Sequence, residues 1–368
     1  MPIYEYQKKG ETYYYYAFEV KDSNGKRKTI KKRGFKGKKV ARDAESQARL
    51  EWQNGRYVEP NQLLFGEFIT TWLKNKQNIS EGTRHTNDGH LRNHIIPEIG
   101  HIPLQKVKAE HIEGLISALY KKGLAEGTVR KIYNLVQTCF KSAEKKEYIG
   151  KNPFNILDDG AKPKVSKKKM DYWTKEEVKF FLNRVDNRFR IMYVLAIYTG
   201  MRRGEIIGLT WKNIDFDSKT IRVSQTLKHI EGFKGEVKTA SGYRTVSISD
   251  SLIIELKKHR AMILKEKLAC SDYEDFDLVV CHKDGRPINT GNFTRNWQRI
   301  LEKTDARPIR FHDLRHTCAS LLFSAGVHPK VVQEQLGHAS IKITLDTYSH
   351  MQPNMQAEAA KALDQLLK

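Results

Sequence analysis

The first fifty residues change from a strand-like to a helix-like pattern of apolar positions. The run Thr12 to Val20 is rich in aromatic and β-branched residues, and Lys26 to Phe35 follows it after the turn sequence Asp22-Ser23-Asn24-Gly25. Such runs are typical of strands, and Asn-Gly is a strong hairpin signal. From Lys39 to Trp52 apolar residues recur at helical spacing. The pattern predicts a hairpin followed by a helix.

The next hundred residues show a helical period throughout. Apolar positions between Leu63 and Leu73 form one stripe, and the same holds for Ala109 to Lys122. Another helix opens at Glu81 and runs towards Pro97, and Thr128 is a candidate N-cap for the last one. The pattern predicts an all-α domain of four or five helices.

The remaining two hundred residues combine helices with a short β region. Thr174 and Glu177 form a capping-box sequence, and an apolar helix from Phe189 to Tyr198 stops at Gly200. Alternating residues then predict a three-stranded meander, with strands at 220–226, 232–239 and 243–248. Further helices are predicted at 250–269 and 291–303, followed by three short ones between Phe311 and Tyr348.

This arrangement places several reactive side chains at the ends of helices. Arg202 falls between two helices, His338 follows the glycine that ends a helix, and Tyr348 lies at the far end of the last one. His312 and Arg315 form an H-x-x-R sequence where a further helix begins. Each of these residues taken alone is more often structural than catalytic. Together, two arginines, two histidines and a tyrosine suit chemistry on a phosphodiester, because guanidiniums bind phosphate oxygens and a Tyr hydroxyl can be a nucleophile.

Charge indicates the same kind of partner. The 368 residues include 65 Lys plus Arg against 43 Asp plus Glu, which gives a formal charge of +22. Ten basic residues and one acid lie between Lys21 and Lys39. A solvated charged face is the alternative, but such a density of cations favours binding to a polyanion such as DNA. The predicted DNA-binding residues are Lys26, Arg27, Lys28, Lys31, Lys32 and Arg33.

Other classes of site are disfavoured. We find no apolar run of about 18 residues and no secretory h-region, which predicts a protein that neither spans a membrane nor is secreted. The four cysteines are scattered, without zinc spacing, and are typical of a reduced, cytoplasmic protein. Histidines in the first helical region lack metal-ligand spacing on one helix face. No metal site is predicted.

Four sequence boxes carry a family resemblance. Thr199 to Glu205 reads TGMRRGE, and HDLRH, LGH and DTYSH follow in the stretch from His312 to His350. In this order they resemble the active-site boxes of tyrosine recombinases, specifically the phage-type integrases. The resemblance implies a multidomain fold, mainly α with small β-sheets. Its expected parts are an arm-type DNA-binding domain (β-β-β-α) at 1–56, a helical core-binding domain at 61–157, a linker at 158–170 and an α+β catalytic domain at 171–368.

The resemblance also implies a mechanism. Tyr348 is expected to attack DNA and form a 3′-phosphotyrosyl bond, with Arg202 and Arg315 on the phosphate oxygens and His338 donating to one of them. His312 is the expected proton acceptor. Lys238 matches the family's catalytic lysine by position, although Lys228 and Lys234 compete and all three could be surface lysines. Glu205 is expected to orient the site, and a merely structural role is the alternative.

Partners follow from the same resemblance. The expected partner is double-stranded DNA with core and arm sites, bound by a tetramer in the cytoplasm of a bacterial host, together with an excisionase and a DNA-bending protein. No cofactor is expected. A predicted amphipathic helix at 352–368 either folds back or docks on a neighbouring protomer. Three competing functions are a non-catalytic DNA-binding regulator, a type IB topoisomerase and a chromosome-dimer resolvase; the complete set of reactive residues and the arm-like unit argue against them.

Overall fold

The computed structural model describes residues 3–21, 25–54, 57–166, 170–227, 234–236, 243–288, 293–348, 363–365 and 367. For residues 159, 225–227, 234–236, 343 and 346–348 it describes the backbone alone. The chain divides into two units, Met1–Lys167 and Lys168–Lys368. This division falls inside the segment 158–170 that we expect to be a linker, and the domain boundaries themselves stay predictions.

The first unit begins with an antiparallel sheet and a helix. The elements are β1 (Ile3–Lys8), β2 (Glu11–Lys21), β3 (Arg27–Phe35) and α1 (Lys38–Gln53). The strand order is β1-β2-β3, and α1 covers one face, where the buried residues are Tyr16, Phe18, Ile30 and Ala48. The predicted hairpin strands and helix are confirmed.

The apolar pattern predicted two strands, whereas the family resemblance implied three, and β1 is the third strand. This strand joins β2 through Lys9 and Gly10, whose φ angles are 55° and 81°. Lys8 pairs with Glu11, so the loop has two residues, the length that requires positive φ at its centre. Of the predicted turn before β3, residues 22–24 lie outside the described residues.

The rest of the first unit is helical, as predicted. Its helices are α2 (Phe65–Lys74), α3 (Glu81–His90), α4 (Ile96–Ile99), α5 (Ala109–Lys121) and α6 (Glu126–Lys145), with a π-helical turn at Leu91–Ile95. Their apolar stripes meet in a core that includes Phe65, Ile69, Leu119, Ile132 and Phe140. The prediction that Thr128 caps the last helix is wrong. Ala125 occupies the N-cap, and the Thr128 N–H already donates to its carbonyl over 2.8 Å within the first turn.

The second unit packs helices around a small sheet. Its helices are α7 (Lys175–Arg184), α8 (Arg190–Thr199), α9 (Arg203–Ile207), α10 (Asp250–Ala269), α11 (Phe293–Thr304), α12 (Asp313–Ser324), α13 (Pro329–Leu336) and α14 (Ile341–Tyr348). The apolar helix α8 lies within the core, with Trp173, Phe181, Leu252 and Trp297 among the buried residues. The predicted capping box of Thr174 and Glu177 is present.

The strands of this unit differ from the predicted meander. They are β4 (Ile214–Asp215), β5 (Thr220–Val223), β6 (Gln225–Leu227), β7 (Lys234–Glu236) and β8 (Arg244–Ser247). The order β4-β5-β8 leaves β6 and β7 as a separate pair. Ile221 pairs with Val246, and both are buried. The predicted meander placed the middle strand, at 232–239, beside the strand at 220–226. In the structure β8 pairs with β5 instead, because β7 reads Lys-Gly-Glu and has no apolar residue to bury in the core.

Within the described ranges, no helix has both the length and the apolar character needed to cross a membrane. Of the predicted tail helix at 352–368, residues 363–365 are helical and 367 is described. The other residues of that tail lie outside the described residues.

Candidate active site

Gly200 ends α8 and brings three helices together. Its φ of 65° lies in the left-handed region that favours glycine. A Cβ at this position would overlap Leu336 of α13 and lie 3.4 Å from Sγ of Cys318 in α12. The backbone angle and the close approach both require glycine, and they hold the turn that leads to Arg202 against α12 and α13.

Arg202 lies in the turn between α8 and α9, as predicted. Its Nη1 donates to Oε1 of Glu205 over 2.8 Å, and its Nη2 donates to the carbonyl of Gly337 over 3.1 Å. The Arg202 backbone N–H also donates to Oε2 of Glu205 over 2.9 Å. With 41% of its side chain exposed, Arg202 is oriented on one side and open to a ligand on the other.

Glu205 is a carboxylate only 2% exposed that lies between two guanidiniums. Nη2 of Arg244 donates to its Oε2 over 2.9 Å, while Nε of Arg244 donates to the carbonyl of Gln335 over 2.7 Å. Burial by itself raises the pKa of Glu205, but the hydrogen bonds and charges of Arg244 and Arg202 outweigh burial and hold the pKa below its ordinary value. The charged carboxylate therefore orients both arginines.

Sequence reasoning missed Arg244. Its side chain is 6% exposed, and it shares a face of β8 with the buried Val246, two residues on. The alternation of a strand was the available signal, because it places Arg244 on the inward face. A buried guanidinium there needs a carboxylate partner, which Glu205 provides.

Arg315 and His312 lie at the start of α12. Arg315 is 3% exposed, and its Nη1 donates to the carbonyl of Gly200 over 2.7 Å. His312 is solvent-exposed, and its ring centroid lies 5.3 Å from that of His316. The pKa of His312 is lowered, first by the loss of water around the part of the ring that packs on protein and then by the charge of Arg315. The lowered pKa favours the neutral imidazole of His312 at pH 7.

His338 follows α13, whose C-cap Gly337 has a φ of 67°. Nδ1 of His338 lies 2.9 Å from Oγ1 of Thr344. Burial, followed by the charges of nearby arginines, lowers the pKa of His338 to about 4. The ring is therefore neutral at pH 7 and can donate from one nitrogen only.

Two predicted site residues are less fully described. Lys238 lies outside the described residues, as does its competitor Lys228, and Lys234 is described by its backbone in β7. Tyr348 is the last residue of α14, and its backbone alone is described.

The hydrogen bonds join segments that are far apart in the chain. Arg315 contacts the carbonyl of Gly200, and Arg202 contacts the carbonyl of Gly337, which precedes His338. The two guanidiniums are thus bonded to the turns that lead to Arg202 and His338, and His312 is the N-cap of the helix that carries Arg315. This arrangement suits a dianionic transition state. Among the residues that the structure describes, no group of three or more His, Cys, Asp or Glu could hold a metal ion.

A second basic region lies on the first sheet, on the face opposite α1, which we call the outer face. It is formed by Tyr4, Tyr6, Tyr15, Lys31 and Arg33. The Tyr4 and Tyr15 rings stack with centroids 4.9 Å apart. Nζ of Lys31 lies 4.7 Å and the guanidinium of Arg33 lies 5.3 Å from the Tyr15 ring centroid. By strand alternation, Arg27 shares this face.

The other basic residues of β3 belong to the face that α1 covers. Lys28 and Lys32 flank Ile30, which is 2% exposed. Nζ of Lys28 pairs with Glu59 at 2.6 Å. The six predicted DNA-binding residues are therefore divided between two faces, with Lys26 just before the strand.

Comparison with known proteins identifies related chains over the whole length. Residues 171–355 match the Phage integrase family, residues 64–120 match the Phage integrase, N-terminal SAM-like domain, and residues 2–51 match the Arm DNA-binding domain. A protein of Caldanaerobacter subterraneus named Tyrosine recombinase XerC-like is 30% identical over 98% of both chains. The ICEBs1 integrase of Bacillus subtilis is 30% identical over 90% of both chains.

Solved structures share the fold. The Tn1549 transposon integrase in complex with a circular intermediate DNA aligns with a TM-score of 0.69 at 21% identity, over 82% of this chain and 99% of that one. A lambda integrase tetramer bound to a Holliday junction aligns with a TM-score of 0.57 at 18% identity, over 94% of each chain. The chain belongs to the phage integrase family of tyrosine recombinases, and it is a DNA-cleaving and rejoining enzyme.

Proposed function

We propose that this enzyme joins and resolves the attachment sites of a phage or other mobile element through a 3′-phosphotyrosyl intermediate. The observation that supports this role is the convergence of Arg202, Arg315 and His338, which are connected through the carbonyls of Gly200 and Gly337. A site that holds two guanidiniums before substrate arrives favours the charged transition state of phosphoryl transfer over the ground state.

Tyr348 carries the covalent step. Its hydroxyl oxygen attacks the phosphorus, the bond to the 5′-oxygen breaks, and the 3′-phosphate remains on the tyrosine. The 5′-hydroxyl of the partner duplex then attacks the same phosphorus and releases Tyr348. Because the number of phosphate ester bonds is unchanged, the reaction needs no nucleotide cofactor. Arg202 and Arg315 neutralise the non-bridging oxygens, which leaves no charge for a metal ion to balance.

Two proton transfers accompany the cleavage step, one from Tyr348 and one to the leaving 5′-oxygen. His312 accepts the proton of Tyr348, which a neutral imidazole can do and an imidazolium cannot. His338 donates a hydrogen bond to a non-bridging oxygen, and Lys238 protonates the leaving 5′-oxygen. The lowered pKa values of His312 and His338 support these roles in the DNA-free protein.

The outer face of the first sheet binds the arm-type DNA. Its cations are stacked on tyrosine rings, so each is held in place with little loss of side-chain freedom when a phosphate approaches. A two-stranded ribbon such as β2 with β3 can enter a major groove. Lys31, Arg33 and Arg27 are the contacts we expect, and Lys26, Lys28 and Lys32 contribute mainly to the positive field.

The assembly follows that of related enzymes. The lambda integrase has been solved as a tetramer on a Holliday junction, and we infer that this chain acts as a tetramer that holds two duplexes. An excisionase and a DNA-bending protein are the expected accessory partners, and the cytoplasm of a bacterial host is the expected location.

Trapping of the covalent intermediate tests the proposal. Purified protein is incubated in EDTA with nicked duplexes taken from the DNA that flanks its own gene, and the products are separated on a denaturing gel. The wild type should give a protein–DNA adduct, Tyr348→Phe should give none, and both should bind the duplex similarly. Tyr243→Phe, which changes a tyrosine that is 49% exposed, is the matched control and should retain the adduct. If Tyr348→Phe still forms the adduct, another residue is the nucleophile. If the wild type binds DNA but forms no adduct on any site found by a search, the protein is better explained as a non-catalytic DNA-binding regulator.

A further inference from the structure

Thr344 is a buried residue of the helix that carries Tyr348. Its exposure is 0%, and its Oγ1 lies 2.9 Å from Nδ1 of His338. Thr344 precedes Tyr348 by one turn of α14, a rise of about 6 Å. A hydrogen bond therefore connects the helix of the nucleophile to a histidine of the phosphate site.

The hydroxyl of Thr344 differs from other helical threonine hydroxyls of this chain. Those of Thr70, Thr138 and Thr199 donate to the carbonyl four residues earlier in their own helices. In the described part of the chain, the hydrogen bond of the Thr344 hydroxyl runs instead to His338. Its proton is thus available to the imidazole, and a hydroxyl that donates to Nδ1 requires the ring proton to be on Nε2.

The backbone of His338 is fixed from the other side. Its N–H donates to the carbonyl of Gln333 over 3.1 Å, and its own carbonyl accepts from Nε2 of Gln333 over 2.7 Å. These bonds attach the main chain to α13 and leave the side-chain torsions free. Thr344 supplies the contact that fixes the ring.

We propose that Thr344 is a positioning residue for both halves of the site. By donating to Nδ1, Thr344 keeps the proton of His338 on Nε2, the nitrogen that then faces the phosphate. The same bond holds α14 against the end of α13, so that Tyr348 is positioned to attack that phosphate. This inference rests on the roles proposed above for His338 and Tyr348.

Two substitutions separate the hydroxyl from the volume of the side chain. Thr344→Val keeps the shape and removes the hydroxyl, and Thr344→Ser keeps the hydroxyl. Single-turnover cleavage of the nicked duplex should fall ~10–10² fold in Thr344→Val, by analogy with the loss of a partner that orients a metal-bound histidine. In Thr344→Ser the rate should recover to within about threefold of wild type. The matched control is Thr304→Val, which removes a buried hydroxyl that donates to its own helix at Ile300 and should leave the rate unchanged.

The tautomer is measured in the DNA-free wild type, which does not depend on any variant folding. With ¹⁵N-labelled histidine, and with His338→Gln to assign its signals, His338 should show its proton on Nε2. Thr344→Val should show a mixture of the two tautomers. A proton on Nδ1 in the wild type would overturn the inference, as would equal cleavage by Thr344→Val and wild type.

Failure of the broader proposal gives a different result. If the wild type forms no adduct that depends on Tyr348, the proposed chemistry fails whatever the tautomer is. If that adduct forms and Thr344→Val cleaves at the wild-type rate, only the role of Thr344 is rejected.

Discussion

The two basic regions of this protein hold their cations in opposite ways. On the outer face of the first sheet, Lys31 and Arg33 are exposed and rest on tyrosine rings. In the second unit, Arg315 and Arg244 are at most 6% exposed and are bonded to backbone carbonyls and to the carboxylate of Glu205. The first region keeps its charges in water. The second removes Arg315 and Arg244 from water before DNA arrives, and it holds the partly exposed Arg202 through bonds to Glu205 and to the carbonyl of Gly337.

The difference corresponds to two functions on DNA, which are binding and stabilisation of the transition state. Exposed cations release counterions from DNA and so contribute affinity that weakens with salt. A buried guanidinium loses hydration during folding, and its orientation is already fixed when charge develops at the phosphorus. We therefore expect the first region to control binding and the second to control the chemical step.

The prediction with the largest expected effect tests whether the second region controls the chemical step. Arg202→Ala should lower the rate of cleavage by ~10²–10³ fold, the usual effect of removing one transition-state donor. Binding of the duplex should change little, and the fold should persist because Glu205 keeps its bond to Arg244. Rates of adduct formation at saturating protein and affinities from gel shifts measure the two quantities.

The neighbouring residue provides the control. Arg203 carries the same charge, but its guanidinium lies 5.1 Å from the ring of Phe293. Arg203→Ala should therefore affect cleavage less than Arg202→Ala by at least ~10 fold. Equal losses would mean that charge near the site, rather than a fixed guanidinium, determines the rate.

A smaller effect tests the outer face. The double substitution of Lys31 and Arg33 by Ala should weaken binding to arm-type duplexes, obtained by in vitro selection with the wild type, and should reduce the salt slope of log K by about 2. Cleavage of a minimal core duplex should not change. The matched control replaces Lys28 and Lys32, which removes the same charge from the same strand. An equal loss in both double variants would show that the sheet supplies only a general positive field.

The sequence could predict elements whose signals are local. The helices at the active site follow from apolar spacing and from glycines such as Gly200 and Gly337, and their ends are where the reactive residues were expected. Local signals did not determine which strands pair. The partner of β5 depends on the burial of Val246 against Ile221, twenty-five residues away in the chain, and this contact overrides the order expected for a meander.

The candidate site shows the same limit. The four sequence boxes named its reactive residues, but the bonds between the boxes involve backbone carbonyls, which any residue carries. Arg244 was missed because its role depends on Glu205 and Gln335, which are distant from it in sequence. Thr344 was missed because a threonine in a helix gives no signal until its histidine partner is located.

The smallest expected effect is a pH dependence of stability confined to the active-site unit. The pKa of His338 is lowered from 6.5 to about 4 when the protein folds, so the unfolded chain binds the proton first as pH falls. The stabilising contribution of the neutral ring is complete above pH 6.5 and is lost as pH decreases towards 4. The thermal midpoint of wild type minus that of His338→Gln, measured from pH 7.5 to 4.5, should therefore decrease in acid, roughly by a few degrees for a shift of this kind.

Core-site DNA should reduce this decrease, because a phosphate next to the ring favours its protonated form. If the difference in thermal midpoint stays constant across this range, the His338 ring is as well hydrated in the folded protein as in the unfolded chain. The contrast between a dehydrated catalytic site and a hydrated DNA-binding face would then not include the histidines of the catalytic site.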